Sequence, residues 1–134
     1  MGAPAPVAGG DDTEAGRRPA ALIAVYTTVA DAVQAEALAT GAIEAGLAAC
    51  VQQHDIVSTY RWQGRVQREP EVRLMFKTTR PGYARLARWL AERHPYELPA
   101  IHALPVVEAA PDYADWVRAA VVPSPAAGDS SDGR

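Results

Sequence analysis

The chain has 134 residues, a formal net charge of −3 and 22% charged residues. That is the length of one domain. The lack of a basic excess or an aromatic–basic stripe removes nucleic acid as an expected partner, and no apolar run approaches the ~20 residues of a membrane span.

The two ends differ in composition from the middle. Residues 1–19 are rich in Ala, Pro, Gly and acids, and residues 122–134 read VPSPAAGDSSDGR. Neither stretch holds enough apolar surface to offset the entropy of ordering it, so both are expected to be disordered tails. The domain is expected over 20–121, and with most of the acidic excess in the tails it is close to neutral. The N-terminus lacks the apolar stretch of a signal peptide, and Pro6 stands where a myristoylation site needs Ser or Thr. Cys50 is the single cysteine, which excludes an intrachain disulfide and suits a reducing, cytoplasmic setting.

Ala20–Thr28 is a short apolar run of β formers and reads as a buried strand. Asp31 followed by Gln34 has the form of a capping box, and Ala35, Leu38, Ala39, Ala42 and Ile43 recur at helical spacing until Gly46. Leu47–Arg61 reads as a long strand, Trp62–Arg65 as a turn with Gly64 at a position open to φ > 0, and Val66–Thr79 as the returning strand. Alternation places Val66, Arg68, Pro70, Val72, Leu74 and Phe76 on one face, and Gln67, Glu69, Glu71, Arg73, Met75 and Lys77 on the other. Pro70 cannot donate to a ladder and marks an edge or a bulge.

Pro81 suits the first position of a second helix, whose apolar face is Tyr83, Leu86, Ala87 and Leu90 and which ends at His94-Pro95-Tyr96. Its arginines, Arg80, Arg85, Arg88 and Arg93, read as a solvated face. Ile101–Val107 is a fourth strand. Pro111 opens a last helix with Tyr113, Trp116, Val117 and Ala120 on one side. The order β-α-β-β-α-β plus a C-terminal helix is an α+β, ferredoxin-like sandwich with a long β2–β3 hairpin.

Hairpin strands of about 14 residues would reach about 45 Å, well beyond the usual length. Exposed edges on such a hairpin call for pairing with other copies, so its length predicts a homo-oligomer. The alternative is a hairpin broken near His54-Asp55 and Pro70 that folds back on its own domain.

Three segments resemble the CutA divalent-cation tolerance family. They are Gly46-Leu47-Ala48-Ala49-Cys50-Val51; Tyr60-Arg61-Trp62-Gln63-Gly64 with Glu71 and Lys77-Thr78 beyond; and His94-Pro95-Tyr96-Glu97-Leu98-Pro99 with Tyr113 and Trp116 beyond. The resemblance implies a trimer locked by its long hairpins and similar in architecture to the PII signalling proteins. It also implies tolerance to divalent metals, copper in particular, and no agreed reaction, so the chain is not expected to be an enzyme. Animal members of the family are linked to anchoring of acetylcholinesterase. The family commonly has Glu where Ala100 stands here. Some bacterial members have a copper set using a cysteine late in the first strand and a His-His pair. Tyr26 and Arg93 occupy the corresponding positions here, which leaves His94 of that set.

The candidate ligands of copper or another divalent cation are therefore His94 and Cys50. Cys50 also reads as a small apolar residue at a helix–strand junction, and His94 as a helix C-cap. His54 and His102 stay unassigned. Glu69 and Glu71 share a strand face and read as ion-pair partners of Arg73 or Lys77. Tyr60, Trp62, Glu71, Lys77 and Tyr96 either line an intersubunit cleft for a small anionic or zwitterionic ligand or seal the trimer interface. The second functional reading is thus a PII-like regulatory or scaffolding module. No Gly-rich phosphate loop is present to suggest a nucleotide, nor the arginine near the first strand that an acylphosphatase would need.

Overall fold

The computed structural model describes residues 18–123; the expected tails lie almost wholly outside the described residues. The elements are β1 (Leu22–Val29), α1 (Ala32–Glu44), β2 (Cys50–Trp62), β3 (Arg65–Thr79), a 3-10 turn (Arg80–Gly82), α2 (Tyr83–Arg93), β4 (His102–Pro105) and α3 (Pro111–Ala120). The strands form one antiparallel sheet in the order β2-β3-β1-β4. This is the ferredoxin-like arrangement that the element order implies.

Strand alternation sends the apolar residues to two faces. Ile23, Val25, Val29, Val72, Leu74 and Phe76 meet Ala35, Leu38 and Ala42 of α1 and Leu86 and Leu90 of α2 in the main core. A smaller cluster on the opposite face joins Leu22 and Ala49 to Ala114 and Val117 of α3 and to Val121. Burying a side chain such as Leu86 or Phe76 contributes about 1.5–3 kcal/mol. The third helix therefore covers the sheet face that α1 and α2 leave bare, but only at one end.

The first helix starts and stops as its sequence suggests, with one change. The Asp31 side chain accepts from the Gln34 N–H at 2.9 Å, but Gln34 Oε1 reaches back to the N–H of Ala30 rather than of Asp31. At the other end Leu47 N–H bonds Ala42 O and Gly46 N–H bonds Ile43 O, a Schellman closure. Gly46 has φ +72°, and a Cβ there would collide with Val122 Cγ2.

Ile43 leaves the expected apolar face and is 42% exposed, because Leu38 and Ala42 set the direction in which α1 packs. Pro81 sits in the 3-10 turn and not in α2 itself, where Gly82 packs closely on Thr78 and Thr79. In α3 the buried side is Ala114 and Val117, continued by Val121, whereas Trp116 is 51% exposed. Small Ala114 allows close approach to the sheet, and Arg118 Nε anchors the helix by donating to Ala20 O at 2.7 Å. The fourth strand is shorter than Ile101–Val107: its ladder with β1 runs from His102 to Pro105, with one further bond from Val106 N–H to Leu22 O.

The β2–β3 ladder runs unbroken from Cys50↔Lys77 to Trp62↔Arg65, with no bulge at His54-Asp55 or Pro70. The turn residues Gln63 (φ 52°) and Gly64 (φ 81°) are both left-handed, as a two-residue hairpin loop of matching twist requires. β1 stops pairing at Val29↔Val72. From Glu71 outward, β3 has only β2 beside it, so an arm of roughly 20 Å projects from the sheet. Pro70 lies just past the end of β1, where one side of its strand has no ladder to interrupt.

Candidate functional site

At the root of the arm the chain returns past it as the segment after α2. The helix ends at His94, whose extended backbone (φ −70°, ψ 137°) satisfies the constraint set by Pro95. The His94 ring turns inward to β1 and does not cap the helix. Tyr96 N–H donates to His94 Nδ1 at 3.1 Å, so the ring proton is on Nε2. That Nε2–H faces Thr28 O at 3.0 Å and Thr27 Oγ1 at 2.9 Å. Burial lowers the His94 pKa, against smaller opposing effects of the Thr28 carbonyl and the Glu71 charge. The ring is thus a neutral bracket between β1 and the loop.

This bracket places Tyr96 over the arm. Tyr96 Oη donates to Glu71 Oε2 at 2.6 Å, and Tyr60 Oη donates to Glu69 Oε1 at 3.1 Å. Burial, followed by the bond to Glu71, raises the Tyr96 pKa; the bond to Glu69 is the largest cause of the rise at Tyr60. Both phenols therefore stay protonated and keep donating. The expected ion pairs of Glu69 and Glu71 with Arg73 or Lys77 do not form. Each carboxylate is held by a tyrosine hydroxyl, while Arg73 lies over the Tyr26 ring at 4.4 Å.

These residues wall a concavity of about 720 Å³ between the arm and the loop. Tyr60, Arg61, Trp62, Glu69 and Glu71 form its arm side, and Pro95, Tyr96, Glu97, Leu98 and Ala100 form its loop side, with Thr28 and Ala30 at its base. Four of the five cleft residues expected from the sequence thus come together. Lys77 does not: it lies at the far end of β3, with Nζ 3.4 Å from Tyr113 Oη and 5.5 Å from the centre of that ring. Ala100, the residue for which the resemblance implies a Glu, lines the wall of this cleft.

The two candidate metal ligands lie apart. Cys50 sits opposite Lys77 at the start of β2, its Sγ 3.7 Å from Tyr113 Oη, whereas His94 binds the other end of β1. Desolvation is the largest cause of a raised Tyr113 pKa. His102 stacks on Tyr26 with ring centres 5.5 Å apart. Among the described residues no three His, Cys, Asp or Glu side chains gather as a metal site.

Sequence reasoning found Tyr96 on the loop side of the cleft but missed Pro95, Glu97, Leu98 and Ala100 there, and the two tyrosine–carboxylate pairs. The Tyr60–Glu69 pair was within reach, since the register of a two-residue turn opposes Tyr60 to Gln67, one step along the same face from Glu69. The Tyr96–Glu71 pair depends on a loop path with no periodicity to read.

Residues 23–120 match the family described as CutA1 divalent ion tolerance protein. A divalent-cation tolerance protein CutA of Thermus thermophilus is 39% identical over 95 residues, covering 70% of this chain and 92% of that protein. The solved CutA of Synechococcus elongatus superimposes with a TM-score of 0.74 at 44% identity, over 77% of this chain and 92% of that one. The same organism's CutA, solved in complex with a Bis-Tris molecule, matches with a TM-score of 0.71 at 42% identity, over 76% of this chain and 95% of that one.

Proposed function

This chain belongs to the CutA1 divalent ion tolerance protein family, and on that premise we propose that it acts without catalysis, as a homotrimer that takes up a small ligand in the cleft at the root of each hairpin arm. The observation that carries this reading is the cleft itself, a concavity of about 720 Å³ with an aromatic wall and fixed carboxylates. Small-molecule sites have that size and that mixture of apolar wall and few polar groups. The Synechococcus elongatus relative has been solved with a small organic molecule bound.

The trimer is supported by the arm. It exposes Val57 (56%) and Val66 (66%) on one face and Tyr60 and Trp62 on the other. A projecting two-stranded ribbon of that composition is stable when another surface covers it. Among the described residues the outer edge of β4 is also unpaired and offers a strand ladder to a neighbour. The absence of catalysis is supported by the one histidine beside the cleft, which spends both ring nitrogens on structural bonds.

The reading in which His94 and Cys50 hold copper or another divalent cation has less support. It rests on the family description, while Cys50 lies at the start of β2 beside Tyr113 and His94 at the C-terminal end of β1, each with a partner already. No described helix is long and apolar enough to cross a membrane. We place the protein in the cytoplasm, where its single thiol stays reduced. Light scattering tests the trimer: a mass of one chain at micromolar concentration overturns it. Calorimetric titration with copper separates the two readings. An affinity that falls in both His94→Ala and Cys50→Ala would favour the metal site over the cleft.

A further inference from the structure

We propose that the cleft selects an organic ammonium ion. This deepens the small-ligand reading above and rests on it. The sequence led to an anionic or zwitterionic ligand, because Lys77 was expected in the wall beside Glu71. With Lys77 at the far end of β3, the charged groups around the concavity are Glu69, Glu71 and Glu97 against Arg61 alone. Arg61 opposes Val66, which puts it on the face of the arm away from Tyr60 and Trp62.

The carboxylates are positioned as well as present. Glu71 is only 9% exposed and its Oε2 is fixed by Tyr96; Glu69 is fixed through Oε1 by Tyr60. One oxygen of each is thereby oriented by a phenol, and the other is left for an incoming N–H or a cationic headgroup. The rings of Tyr60, Trp62 and Tyr96 supply π faces, which attract a cation in a partly desolvated site. A bare metal ion fits less well. The described residues hold no metal-type cluster of three ligands, and about 720 Å³ is far more room than an ion needs.

The test uses the full chain and three probes of similar size at pH 7.5, followed by amide chemical-shift titration. Choline carries the charge, 3,3-dimethylbutan-1-ol is its uncharged isostere, and butyrate is an anion. Choline is expected to shift the amides of Glu71 and Tyr96 and to bind roughly tenfold tighter than the isostere. Glu69→Gln and Glu71→Gln should each erase most of that preference. Exposed Glu69 provides a variant that leaves folding intact, and Lys77→Gln should leave the preference unchanged. Equal affinity for the isostere, or tighter binding of butyrate, overturns the charge selection while leaving a small-ligand cleft. Silence at the cleft from all three probes removes both readings.

Discussion

The two halves of the β2–β3 hairpin share one backbone ladder and have opposite surroundings. Toward the base, Val72, Leu74 and Phe76 sit under α1 and α2, and Thr78 Oγ1 donates to Leu47 O at 2.9 Å inside the domain. Toward the tip the same face continues with Val57 and Val66, which nothing among the described residues covers. The β2–β3 register is continuous through both halves, but the base also has β1 beside β3 and helices over it, and the tip has neither. Strand pairing alone therefore does not explain why the arm persists, and the trimer proposed above would supply cover for its tip.

The sharpest way to break this contrast is to damage the base. Phe76→Ala removes a fully buried ring and is expected to cost about 3–5 kcal/mol in denaturant unfolding, a loss that reaches every element. At the tip, Val57→Asp or Val66→Asp should leave the secondary structure of a single chain in place, since isolated surface changes cost within about 0.5 kcal/mol. The same substitutions should lower the mass seen by light scattering. An unchanged mass would mean that the tip is free in the assembly too. Between the halves, Tyr96→Phe strips the hydroxyl from buried Glu71 and is expected to cost about 1–3 kcal/mol, together with ligand uptake in the cleft.

A pH series tests the bracket that holds the loop to the base. Burial lowers the His94 pKa below the ordinary ~6.5 of the unfolded chain. As pH falls through that range the unfolded chain takes up a proton that the folded ring resists. Stability should therefore rise with pH up to about 6.5 and then level. The slope of melting temperature between pH 5 and 7 should be shallower in His94→Asn. Equal slopes in the two proteins would refute the role given to the ring. The smallest effect belongs to the turn: Gln63→Asn, at φ 52°, should stabilise by a few tenths of a kcal/mol without changing the oligomer.

Much of this molecule was legible in the order of its residues. Local signals are dense where the backbone must do something particular. Asp31 and Gln34 mark the start of α1, Gly46 its end, Gly64 the turn, and Pro111 the start of α3. Period-two alternation put Val72, Leu74 and Phe76 on one face, and that face is the core. Helical spacing served α3 less well: it put Tyr113, Trp116, Val117 and Ala120 on one side, and of these only Val117 is buried. Helical spacing offers several adjacent stripes, and the choice among them belongs to the sheet beneath. For the site, the arm residues Tyr60, Trp62 and Glu71 were within reach, being tied to a turn whose register can be counted. The loop 95–100 contributes half of the wall and follows no period at all.

The sequence by itself determined the elements, their antiparallel order and the excessive length of the hairpin, because caps, turns and alternation act over a few neighbouring residues. Only the tertiary structure decided which side chains meet. It sent Lys77 to Tyr113 and away from the cleft, and it gave Glu71 to Tyr96 instead of a basic partner. It also set His94 to bracing β1 rather than capping its own helix. Those outcomes depend on where β1 stops along β3 and on which face α3 covers. Both are set by packing between residues far apart in the chain, for which no local pattern exists.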